Sequence, residues 1–137
     1  MSVLPNIELV SFLIIIVARK FGFKSLLSVY IFVLLEILTY GLQIWCICYL
    51  YVWAILAIIV CLLRKIDSVI IFTLISTIFG LLFGTLCSIP YFFINGIGGG
   101  IAWIISGITF DLLHGAGNFV LTLLLYIPIT KVMKRLL

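Results

Sequence analysis

Residues 69–84 read VIIFTLISTIFGLLFG, sixteen positions without a charge. A membrane β-strand alternates apolar and polar residues over about ten positions. This stretch does not alternate, so it reads as helix. Its apolar residues cover every face, which suits a lipid-facing span rather than an amphipathic surface helix. In lipid each backbone N–H and C=O must find a partner inside the segment, which an α-helix provides.

The rest of the chain extends the same pattern. Of 137 residues, 66% are hydrophobic and only 9% are charged, with a mean hydropathy of +1.52. A soluble domain carries about 25% charged residues to build its polar surface. These charges are too few for that purpose. The expected fold is all-α, a single polytopic transmembrane bundle over residues 1–137.

Outward from 69–84, the apolar runs are Asn6 to Ala18, Ser25 to Tyr40, Ile44 to Leu63, Val69 to about Ser88, and Thr109 to about Thr130. These predict about five spans. Asp67-Ser68 supplies an N-cap for the fourth, and Pro90 ends it. Tyr91 to Gly100 reads as a turn-rich loop, with Asn95-Gly96 and three consecutive glycines from Gly98. Ile101 to Gly107 is expected as a short re-entrant or interfacial segment, or as the start of the last helix. Pro128 is a candidate kink near the end of the final span.

All eight basic residues flank these runs: Arg19, Lys20, Lys24, Arg64, Lys65, Lys131, Lys134 and Arg135. Lys and Arg near span ends concentrate on the cytoplasmic side. With the 19–24 loop inside, five crossings place every basic residue inside and none outside. The C-terminus is then cytoplasmic and residues 1–6 extracellular, in a multi-pass protein of the cell membrane. An N-terminus starting outside, with almost no tail, is the geometry expected if a preceding helix is absent. The net charge of +4 therefore reflects topology, and there is no basic-aromatic patch for nucleic acid.

Charged and polar groups within spans are costly and usually mark function. On the predicted outer side they are Asn6, Glu8, Tyr40, Gln43, Trp45, Tyr91 and Asn95, with Glu36 one turn before Tyr40. Asp111, His114 and Asn118 begin the last helix at spacings of three and four, so they share a face. Carboxylates, amides, an imidazole and aromatic rings in one cavity suit a small polar molecule with a flat ring. Read singly, each has a plainer role. Tyr and Trp at span ends anchor helices at the interface, Asp111 and His114 could pair to fix the last helix, Glu36 could pair with a neighbouring helix, and Glu8 could be solvated. Co-location is the reason to group them.

Ser76, Gly80 and Gly84 repeat at spacing four, a small-xxx-small face that lets helix backbones approach closely. Cys46, Cys48, Cys61 and Cys87 lie in apolar runs and lack zinc-ligand spacing, so they read as buried thiols. No metal or cofactor site is expected. The chain has no H-E-x-x-H, G-x-S-x-G or G-x-x-x-x-G-K-[ST] pattern, so no catalytic residue is assigned.

Pro5-Asn6-Ile7-Glu8 resembles the segment that follows the first helix in some substrate-binding S components of energy-coupling-factor (ECF) transporters. Gly80 to Gly84, Cys87 to Phe93, and Ser106 to Gly115 with Asn118-Phe119 resemble the fifth and sixth helices of that family. The resemblance covers nearly the whole chain. It implies a six-helix bundle that binds a vitamin-like micronutrient near its outer face. It also implies partners: a transmembrane scaffold subunit and two cytoplasmic ATPases that drive uptake. Asn6, Glu8, Asp111, His114 and Asn118 carry over as ligand positions, and Tyr40, Gln43 and Trp45 join them by location. Family members have a helix before the Pro-Asn segment that docks on the scaffold. Here only four residues precede it. Two other classes fit the same composition: a small non-transport assembly protein, and an ion-coupled carrier using Glu36, Asp111 and His114.

Overall fold

The computed structural model describes residues 8–136. It is all-helical, with α1 (Val10–Phe21), a 3-10 turn (Gly22–Lys24), α2 (Ser25–Tyr40), α3 (Ile44–Leu63), α4 (Val69–Cys87) and α5 (Ile89–Leu136). Four helical stretches are long and apolar enough to cross a membrane: Val10–Tyr40, Ile44–Leu63, Val69–Cys87 and Ile89–Arg135. The chain is a multi-pass membrane protein.

This is four where the sequence suggested about five, and the reason lies in the first stretch. Val10–Tyr40 comprises two short helices, α1 with 12 residues and α2 with 16, around the 3-10 turn. At 1.5 Å per residue neither reaches the roughly 30 Å of a full hydrocarbon core. Gly22 takes φ +61, a conformation that L side chains rarely adopt, and ends α1. Val10, Leu13, Ile14 and Val17 of α1 line one groove with Ser25, Ser28, Val29 and Phe32 of α2. The two helices therefore lie side by side and antiparallel.

α3 packs against α1, α2, α4 and α5. Its Val52, Trp53, Leu56, Ala57 and Val60 are fully buried, and Phe12, Ile15 and Ala18 of α1 close over them. The Tyr51 hydroxyl donates to the Leu86 carbonyl at 2.7 Å and ties α3 to α4. α4 begins as its capping residue requires, with Ser68 Oγ accepting from the Ile71 N–H at 3.4 Å.

The last third of the chain departs from the expected loop. Tyr91–Gly100 is helical apart from one break, at Gly96 (φ 68, ψ −173). Pro90 stands in the first turn of α5, where a missing N–H costs no hydrogen bond. Ile101–Gly107 is therefore not a separate segment; it is an early part of the last helix, one of the two expected alternatives. The chain folds back at Gly96, so that Tyr91 stacks on Trp103 with ring centroids 3.8 Å apart. Gly100 faces the Phe92 ring and Gly99 faces Asn95, where a Cβ would collide in either case. The glycine run thus permits a tight helical hairpin, not a loop. Beyond the break α5 continues for about 40 residues, or roughly 60 Å, twice the length one crossing needs. Pro128 sits inside it without leaving helical geometry.

α4 and α5 run antiparallel along a seam of small residues. Phe72 stacks on Tyr126, Ser76 faces Asn118 and Thr122, and Gly84 faces Asp111. A Cβ on Gly80 would stand 2.8 Å from the Gly115 nitrogen and 2.9 Å from its Cα. The small-xxx-small face therefore has its partner within the same chain.

Candidate functional site

Asp111 and Asn118 direct their polar atoms at α4. The Gly84 N–H donates to Asp111 Oδ1 at 2.8 Å, and Asn118 Nδ2 donates to the Ser76 carbonyl at 3.0 Å. Thr122, one turn further, donates to Ser76 Oγ at 3.0 Å. All three are buried. Lipid-embedded helices have little hydrophobic drive to associate, so close packing and interhelical hydrogen bonds hold them together. These contacts make Asp111 and Asn118 ties between the helices. The spacing 111, 115, 118, 122 was the signal for Thr122, which the sequence reading passed over.

His114 has different neighbours, the start of α1 and the Phe83 ring of α4. Its Nε2 is 3.4 Å from Glu8 Oε1 and 3.5 Å from Ser11 Oγ. Its ring meets Phe83 edge-on, with centroids 4.9 Å apart. Glu8 and Ser11 lie three residues apart, so both reach the same imidazole. Ser11 was missed because a serine in an apolar run carries little signal alone.

From Phe83 a chain of aromatic rings leads to the end of α2. Phe83 meets Tyr49 at 6.2 Å, Tyr49 meets Trp45 at 5.0 Å, and Trp45 meets Tyr40 at 6.3 Å. Trp53 lies under this chain, 5.2 Å from Phe83 and 5.5 Å from Tyr49. Tyr40 and Trp45 thus join His114 through a continuous aromatic wall. Glu36 is half-buried on α2, one turn before Tyr40. Gln43 is exposed and heads α3, its backbone N–H donating to Cys46 Sγ at 3.4 Å.

Tyr91 and Asn95 fall outside this group. Tyr91 is held against Trp103, eleven residues before His114 and so about 17 Å away along α5. Asn95 is exposed beside Gly99. Asn6 lies outside the described residues.

Two polar atoms around the aromatic wall, His114 Nδ1 and Trp53 Nε1, are buried without a partner among the described residues, and Glu8 Oε1 is buried with only its 3.4 Å ion-pair contact to His114 and no hydrogen bond among them. An unsatisfied buried polar group costs about 1–3 kcal/mol, so three together ask for a shared reason. The indole N–H is a donor, a carboxylate oxygen is an acceptor, and the imidazole nitrogen takes either role according to its tautomer. From His114 to Thr130 is sixteen residues, about 24 Å along α5. Thr130 lines a basic cavity with Arg19, Lys20, Arg64 and Lys134. The polar-aromatic group therefore sits most of a bilayer thickness from the basic end.

The four cysteines are buried and free. No protein-family model, curated protein or solved structure matches this chain.

Proposed function

We propose that the chain is a substrate-capturing membrane subunit of the energy-coupling-factor class, holding a small, flat, polar micronutrient at the end of the bundle remote from the basic residues. The observation that supports this reading is the group of buried polar atoms on Glu8, Trp53 and His114 that lack hydrogen bonds among the described residues, set against the rings of Tyr49 and Phe83. A heteroaromatic ligand offers ring faces to stack and edge groups to satisfy such atoms. Glu8 and His114 are then ligand contacts, with Tyr40 and Trp45 along the approach. Asp111 and Asn118 hold α5 in register, so that His114 is presented.

In this reading the basic end faces the cytoplasm, by the positive-inside rule. The C-terminus is then inside the cell, and the short α1 and α2 form a hairpin whose basic turn, Arg19 to Lys24, points to the same side. The chain has no nucleotide-binding motif, so the driving force comes from partners: a membrane scaffold and a pair of ATPases. Uptake assays separate this from an ion-coupled carrier. Transport should require the ATPase partners; transport that persists without them and collapses with the proton gradient would assign the Glu8–His114 pair to proton coupling instead.

A further inference from the structure

We propose that the basic end of the bundle holds a pocket for a phosphate group, supplied by an anionic lipid of the adjoining leaflet. A cavity of about 210 Å³ opens there, lined by Ile16, Arg19 and Lys20 of α1, Arg64 after α3, and Thr130, Met133 and Lys134 of α5. Side chains from three parts of the sequence thus bring four cations to one space. Topology alone explains basic residues at span ends, but it does not require them to converge on a cavity.

One of the four cations is held in place. The Arg19 guanidinium carbon lies 5.3 Å from the ring centroids of both Phe72 and Tyr126. Its Nη2 donates to Asp67, while its Nε is buried with no partner among the described residues. The exposed Arg64 side chain reaches back to Gly22, where the absence of a side chain leaves room for its guanidinium. Among the described residues, Asp67 is the one carboxylate in contact with these cations, and it is shared between Arg19 and Lys134. Four cations against one carboxylate leave a positive excess that a phosphate would offset. Arginine and lysine donors from several directions suit phosphate oxygens. Ile16 and Met133 give the cavity an apolar wall, which suits a phosphodiester attached to acyl chains better than a free ion. Basic pockets between membrane helices are a general means of holding anionic headgroups.

The test uses the full chain purified in a zwitterionic detergent. Binding of phosphatidylglycerol, phosphatidylcholine and inorganic phosphate is measured by native mass spectrometry and by shift in melting temperature. Phosphatidylglycerol should bind more tightly than phosphatidylcholine. Each lining cation removed should weaken it about fivefold, and the double variant Lys20→Gln/Arg64→Gln about 25-fold. Lys24→Gln/Lys65→Gln removes the same charge from the same end without touching the cavity lining, and should change binding by less than about threefold. Lys20 is exposed, so Lys20→Gln alone gives a reading if the double variant misfolds. Inorganic phosphate competing at millimolar concentration would keep the pocket and make a free anion its source. The proposal is overturned if phosphatidylglycerol binds no better than phosphatidylcholine, or if the control pair loses as much as the lining pair.

Discussion

Gly80→Ala should cost this protein a large share of its stability, and the structure says how. The added Cβ would stand 2.8 Å from the Gly115 nitrogen and 2.9 Å from the Gly115 Cα. Both neighbours are backbone, so no rotamer change relieves them. Restoring an ordinary contact of 3.4 Å moves α4 and α5 apart by about 0.6 Å. The Asn118–Ser76 bond, 3.0 Å in the structure, then stretches to about 3.6 Å, past useful range. Overpacking costs about 1–3 kcal/mol, and a lost interhelical hydrogen bond adds about 0.6–1.7 kcal/mol. The expected total is about 2–5 kcal/mol, against a typical stability of about 5–15 kcal/mol. Reversible unfolding in mixed micelles measures it. Gly98→Ala is the control, because a Cβ there meets nothing within 4 Å. It should be neutral, or stabilising by up to about 1 kcal/mol through helix propensity. If Gly80→Ala is as stable as Gly98→Ala, the seam is not the close contact described.

Asn118→Ala should lower stability by about 1 kcal/mol in the same assay. It should weaken ligand affinity far less than His114→Ala does, since its amide serves Ser76. Gly96→Ala has open space around it but a φ of +68, so its cost of about 1–3 kcal/mol is conformational alone; a melting curve identical to the parent would refute the fold-back at that residue. Asp67 gives a pH signature. Its hydrogen bond and proximity to Arg19, with Lys134 beyond, hold its carboxyl below the usual range. A depressed carboxylate stabilises the fold above its unfolded pKa of about 3.9 and loses that contribution as pH falls through the lower folded value. Melting temperature should therefore fall more steeply below about pH 4 in the parent than in Asp67→Asn.

Much of the fold was legible because it rests on local rules. Tyr40-Gly41 and Leu63-Arg64 mark the ends of α2 and α3, and Ser68 caps α4, where hydropathy and capping chemistry placed them. The fold-back at Gly96 was not legible as a helical hairpin. Asn95-Gly96 and Gly98–Gly100 carry the composition of a loop, and only the pairing of Tyr91 with Trp103 shows that those glycines serve close packing. The site divided for a similar reason. Spacing correctly put Asp111, His114 and Asn118 near one another on the last helix. A helix surface is curved, however, so residues sharing a broad face still meet different neighbours. Asp111 and Asn118 meet the backbone of α4, while His114 meets Glu8 and Ser11. Tyr91 joined the group by its predicted side alone, and distance along α5 separates it.

Equilibrium binding of a vitamin and nucleobase panel to the purified chain, with His114→Ala and Glu8→Gln alongside, decides whether Glu8 and His114 hold a ligand. One flat, polar compound should bind and raise the melting temperature. Both variants should weaken that compound at least about tenfold, near 1.4 kcal/mol. Glu8→Gln, at a half-buried position, should do so with the fold intact. A panel in which no compound binds, or in which both variants bind as the parent does, would contradict the account.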